Sequence, residues 1–163
     1  MAASVDEGSN VKLDLAIDTL RSVGEARLAV SGSSMLPSLW PGDILEVHRV
    51  AAADISKGDI VVFARENRLI VHRVLRMTRE GGEVTVITRG DRSARVDAPI
   101  SANELLGRVR TIQRGDRNIL PRTNLSMQMA SLILRRSGLL TRLLLHLALV
   151  RRNSLYPERA WAN

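Results

Sequence analysis

Cysteine is absent from all 163 residues of the chain. That excludes disulfide bridges, a thiol nucleophile and cysteine-ligated zinc, while saying little about compartment. Aromatic residues make up only 2% of the sequence. A core must therefore be assembled from Leu, Ile, Val and Ala, and stacking platforms for nucleic-acid bases are nearly missing. The sequence holds no uninterrupted apolar run of the roughly 18 residues that a spanning helix needs. The opening stretch, MAASVDEGSN, is polar and acidic rather than basic then apolar, which is not the pattern of a signal peptide. His48, His72 and His146 lie far apart with no HExxH or HxH spacing, so no metal site is expected.

Hydrophobic residues amount to 45% of the chain, enough to build one domain of this size. The formal net charge of +7 is unevenly placed. Residues 1–107 carry 13 Lys/Arg against 15 Asp/Glu, whereas residues 108–163 carry 11 Arg against only Asp116 and Glu158. A basic C-terminal third points towards an anionic surface, lipid or nucleic acid.

The pattern divides the chain into three parts. Residues 1–25 form a polar tail and a short helix, with Asn10 as its expected cap, Leu13, Ile17 and Leu20 on one face, and Gly24 as its stop. Residues 26–115 read as a β domain of closely spaced β-branched runs: Arg27–Val30, Asp43–Val50, Asp59–Arg65, Arg68–Met77, Glu83–Thr88 and Leu105–Gln113. Turns fall at Pro41-Gly42-Asp43, Lys57-Gly58-Asp59, Glu66-Asn67, Gly81-Gly82 and Arg89-Gly90-Asp91. Strands without intervening helices predict a mainly β fold, an antiparallel sheet curled into a barrel-like or sandwich body. Residues 116–163 are basic, and from Asn124 the period becomes helical. Ser131, Arg135, Gly138, Arg142 and His146 recur at steps of three and four among leucines, predicting amphipathic helices with a break near Arg135–Gly138.

Four stretches carry chemistry: Ser31-Gly32-Ser33-Ser34-Met35-Leu36-Pro37, Lys57-Gly58-Asp59, Ile70-Val71-His72-Arg73-Val74, and Thr88-Arg89-Gly90-Asp91 with Asp97 further on. A serine hydroxyl is a weak nucleophile until a base lies within hydrogen-bond reach. Ser34 follows a strand in a turn of small residues, where it can be presented at a sheet rim beside backbone N–H groups. His72, in an apolar strand, can take its proton near neutral pH. Asp97 can orient that imidazole and stabilise its charged form.

In this order the stretches resemble the signal peptidase I family, the S26 serine peptidases of the S24/S26 superfamily. Gly32 to Pro37 matches that family's GxSMxP nucleophile box, which selects Ser34 over Ser31 or Ser33. His72-Arg73-Val74 stands where most bacterial members carry a lysine base, and is similar to the Ser-His-Asp archaeal and endoplasmic-reticulum type. Thr88 to Asp91 followed by Asp97 matches that type's Thr-Lys-Gly-Asp stretch and its later acid. The resemblance covers roughly residues 26–113, and related self-cleaving repressors share the serine box but use lysine. It implies a cofactor-free β core that cuts an extended peptide or preprotein after small residues, bound by β-addition. By that reading Ser34 is the nucleophile, His72 the general base and Asp97 the orienting acid, with Asp91 as second candidate. Ser33, Met35 and Pro37 would border the oxyanion and substrate. The usual N-terminal anchor and a serine at the position of Gly32 are the two departures.

Each residue also has a plainer reading. Ser34 suits a turn on conformational grounds alone, and a histidine in a valine-rich strand is usually structural. Asp43 and Asp91 both follow glycine and suit turns; Lys57, His48 and His146 are assigned no catalytic role. The C-terminal Leu/Arg segment either covers the domain's own sheet or lies peripherally in a membrane interface, which makes membrane-associated and cytoplasmic locations the expected pair. Two further functions compete with the peptidase: a peptide-binding β module that does not cut, and a nucleic-acid-binding regulator. Scarce aromatics and the lack of a helix-turn-helix pattern count against the latter, so no nucleic-acid partner is expected.

Overall fold

The computed structural model describes residues 7–121 and His146, with side chains from Asp14 onward. One helix precedes seven strands: α1 (Glu7–Ser22), β1 (Glu25–Ala29), β2 (Ile44–His48), β3 (Ile60–Arg65), β4 (Arg68–Glu80), β5 (Glu83–Arg89), β6 (Leu105–Arg114) and β7 (Arg117–Ile119). All strand pairs are antiparallel and belong to one sheet in the order β1-β2-β6-β3-β4-β5, with β7 beside β6. The fold is mainly β, as the turn-punctuated runs require.

Some boundaries differ from those read in the sequence. The helix starts at Glu7, so Asn10 lies inside its first turn and is not its cap. Packing of Ile17 and Leu20 against the sheet sustains the helix beyond its local propensity. Gly24 follows the helix at φ 88°, a conformation that glycine adopts without a side-chain penalty. The short strand β7 was not separated from the basic segment, because Arg114-Gly115-Asp116-Arg117 makes a tight hairpin with too few apolar residues to show alternation. The expected C-terminal helices lie outside the described residues except at His146, which is helical and exposed. Among the described residues no helix is long and apolar enough to cross a membrane.

Strand β3 explains how one sheet supports two cores. Successive side chains of a strand point to opposite faces. Ile60 and Val62 enter one cluster with Leu20, Met35, Leu39, Leu45, Val47, Val109 and Ile112. Val61 and Phe63 enter the other with Ile55, Val74, Val86 and Ile100. The first face is covered by α1 and the loop between β1 and β2, the second by the segments around Ile55 and Ile100. Each fully buried aliphatic side chain contributes about 1.5–3 kcal/mol, so a strand buried on both faces anchors the domain. The Glu66-Asn67 tip between β3 and β4 has both φ angles positive, at 51° and 58°, as a two-residue type I′ hairpin demands.

Candidate active site

The loop carrying Ser34 is tied shut at its base. Val30 N–H donates to the Asp43 carbonyl at 2.9 Å, and Gly42 N–H donates to the Val30 carbonyl at 2.8 Å. Leu36 and Leu39 are fully buried beneath it. Asp43 accepts from the Trp40 N–H at 2.8 Å and from both Nε and Nη2 of Arg114, which pins the loop to β6. Asp43 is thus more than a turn former. Held by backbone and ion pairs on several sides, the loop presents Ser34 as an exposed residue on a rigid support.

His72 projects from β4 on the face of the second core cluster, opposite Val61 of β3. Its ring meets Phe63 edge-on with centroids 6.2 Å apart, and its side chain is 13% exposed. Asp97 arrives from the segment after β5. Its N–H donates to the Thr88 carbonyl at 3.0 Å, and the antiparallel bridge Val86–Ile100 fixes the chain just beyond it.

These elements bring three predicted residues into one line. Ser34 Oγ lies 3.0 Å from His72 Nε2, and His72 Nδ1 lies 2.6 Å from Asp97 Oδ2. Thr88 Oγ1 donates to the same Asp97 oxygen at 2.6 Å. With Asp97 as acceptor, the proton of a neutral imidazole belongs on Nδ1, which leaves Nε2 free to accept from the Ser34 hydroxyl.

The other predicted residues are placed differently. Asp91, the second candidate for orienting His72, is bound by Arg73 Nε and Nη2 at 2.8 Å each and by the Ser38 hydroxyl. Arg73 also donates to the Gly58 carbonyl at 2.9 Å, so this pair ties three loops together behind the strand end. His72 and Arg73, neighbours on one strand, point to opposite faces and each takes its own aspartate. Met35 is 3% exposed, with its side chain in the first core cluster. Ser33 accepts from Arg92 Nη1 at 3.1 Å, and Pro37 receives the Trp40 indole N–H on its carbonyl at 2.9 Å. His48 is engaged by Glu46 at 3.0 Å, and Lys57 is exposed.

Sequence reasoning missed three contributors. Gly90 was read only as part of a turn. A Cβ built there would stand 2.8 Å from the Ser34 carbonyl oxygen and 3.0 Å from His72 Nε2. The Arg92 N–H donates to that Ser34 carbonyl at 2.9 Å, so the two loops interlock. Arg65, at the end of β3, donates to Glu104 at 2.7 Å and to the carbonyls of Ala98 and Pro99 at 3.0 and 2.7 Å. It clamps the segment immediately after Asp97. The Arg65 guanidinium, helped by the Ser101 N–H, holds the Glu104 carboxyl well below its usual range, at about 2. The Ser-x-x-Glu spacing of Ser101 and Glu104 was a legible cue, since it marks a side chain reaching back to a backbone N–H; the long-range partner Arg65 left none.

Comparison with known proteins places the chain in a family. The Peptidase S24-like family model matches residues 3–110. Signal peptidase I W of Bacillus subtilis (strain 168) is 30% identical over 76 residues, covering 45% of this chain. The match spans 40% of the length of that relative. With more than half of the sequence matched by the family model, the chain belongs to the Peptidase S24-like family, within the S24/S26 superfamily.

Proposed function

We propose that the chain is a serine endopeptidase of the signal-peptidase type, with Ser34 as nucleophile, His72 as general base and Asp97 as the acid that orients it. One observation carries this reading: the serine–imidazole–carboxylate line, at 3.0 and 2.6 Å, has the spacing that proton transfer needs. Ser34 Oγ attacks the scissile carbonyl as His72 Nε2 takes its proton. Asp97 keeps the imidazole in the required tautomer and stabilises the imidazolium. His72 then delivers the proton to the leaving amine, and water repeats the sequence to free the acyl group.

An oxyanion needs donors already in place. Among the described residues the N–H groups of Ser34 and Met35 donate no hydrogen bond, which leaves both for the developing charge. The Ser33 hydroxyl accepts from Arg92 and keeps its own proton to donate, a substitute for the serine that relatives carry at the position of Gly32. The substrate is an extended segment with small residues before the bond, as in the family resemblance. The basic Leu/Arg stretch of residues 116–163 would hold the protein at an anionic membrane surface.

Ser34→Ala and His72→Ala are expected to abolish cleavage of a reporter peptide while the fold is retained. An acylating serine inhibitor should add its mass at Ser34 of the parent chain only. Full activity in either variant sinks the assignment.

A further inference from the structure

We propose that the site selects peptides bearing a carboxylate within two residues of the bond to be cut, recognised by the arginines of the loop after β5. This rests on the peptidase reading for the location of the substrate but concerns charge, not hydrolysis. The loop and its anchor contain four arginines, Arg73, Arg89, Arg92 and Arg95, against two carboxylates, Asp91 and Asp97. Both carboxylates are consumed internally, Asp91 by Arg73 and Asp97 by His72 and Thr88. Among the described residues Arg89, Arg92 and Arg95 form no ion pair.

One of these cations is fixed where a substrate passes. Arg92 is held on both sides of the nucleophile, through its N–H to the Ser34 carbonyl and its guanidinium to the Ser33 hydroxyl, at 2.9 and 3.1 Å. A guanidinium carries five N–H donors in a rigid fork, so a bond to Ser33 leaves the rest of the fork for an incoming carboxylate. Arg89 stands directly opposite Arg73 in the β4–β5 ladder, on the face away from His72, and takes no part in this recognition. Arg95 adds an exposed charge at the rim, on a turn closed by Ser93. A lysine in the same substrate position meets uncompensated like charge instead.

The test uses full-length Ser34→Ala protein, so that binding is read without turnover. The probes are two fluorescent peptides, identical except for Asp or Lys flanking a pair of alanines. The Asp peptide is expected to bind about tenfold tighter at low salt, with the ratio shrinking as salt is raised. Because the C-terminal third is itself basic, the loop is isolated by substitution. Arg92→Gln compresses the ratio and Arg92→Glu inverts it; should Arg92 variants fail to fold, Arg95→Glu at the exposed rim compresses it too. Equal affinity for the two peptides, or a ratio unmoved by both Arg92 and Arg95 substitutions, overturns the proposal. Cleavage of an uncharged peptide by the parent chain, measured in parallel, judges the hydrolytic reading separately.

Discussion

Gly90 packs so tightly on Ser34 that a single added methyl group would lie 2.8 Å from the serine's carbonyl oxygen. The same methyl would press on His72 Nε2, the atom that faces the hydroxyl. Backbone cannot yield as a flexible side chain can, so the two loops must separate. Gly90→Ala is expected to lower kcat/KM about 100-fold, because displacements of an ångström cost that much in an aligned site. The stability loss should stay within about 1–3 kcal/mol. Steady-state kinetics with a melting curve separate the two effects; unchanged kinetics would mean that Ser34 and His72 need no such closeness.

Asp97 takes two donors on one oxygen, and they are not equivalent. Asp97→Asn can keep the geometry while favouring the wrong imidazole tautomer, so a fall in kcat of about 10³- to 10⁴-fold is expected. Thr88→Val removes only a neutral donor and should cost about tenfold. The order of the two effects, read from kcat on one peptide, checks that His72 and not Thr88 depends on the carboxylate for catalysis.

Arg65 touches none of the three aligned residues, yet it clasps the carbonyls of Ala98 and Pro99 directly after Asp97. Its guanidinium also lies 5.6 Å from the Phe63 ring centroid, on the ring that supports His72. Loss of this clamp in Arg65→Gln should loosen Asp97 and reduce kcat about tenfold with KM little changed, since a modest tilt weakens the orienting bond. The low-field proton resonance of the His72–Asp97 bond should broaden in the variant. A KM effect alone would show Arg65 to be a substrate contact.

Glu104 gives the fold an acid-sensitive point. Its carboxyl is held at about 2 in the folded chain, against an ordinary value of 4.5. A depressed carboxylate contributes stability above its unfolded pKa and loses it as pH falls through the folded one. The Arg65–Glu104 contribution is therefore full at pH 7 and declines between about pH 4.5 and 2. Glu104 is partly exposed, so the pair is worth no more than about 1 kcal/mol, or roughly 4 °C in Tm. Glu104→Gln should lower Tm by that amount at pH 7 and leave it close to the parent's at pH 2. An equal deficit at both pH values would assign the loss to packing.

Much of the fold was legible because its determinants are local. Gly-Asp, Gly-Gly and Glu-Asn pairs mark turns through their own backbone preferences, and the β-branched runs between them alternate with period two. The helix start and β7 were misplaced or missed where a tertiary contact or a short hairpin outweighed the local pattern. Within the site, Ser34, His72 and Asp97 were readable from residue type and motif context. Gly90, Arg65 and Arg92 were not, because each acts through a partner distant in sequence. The motif ranked Asp97 first and Asp91 second as the orienting acid; the opposite faces of β4 separate an acid that meets Arg73 from one that meets His72.

The sequence by itself determined the strand-and-turn framework, the absence of thiol chemistry and the residue types available for hydrolysis, since these follow from composition and short-range backbone preference. The tertiary structure alone decided that these hydroxyl, imidazole and carboxylate groups align, and which loop arginines lack a counter-ion among the described residues. Distances between side chains from three separate segments depend on how distant strands pair and how the loops pack on them, and no local pattern encodes them.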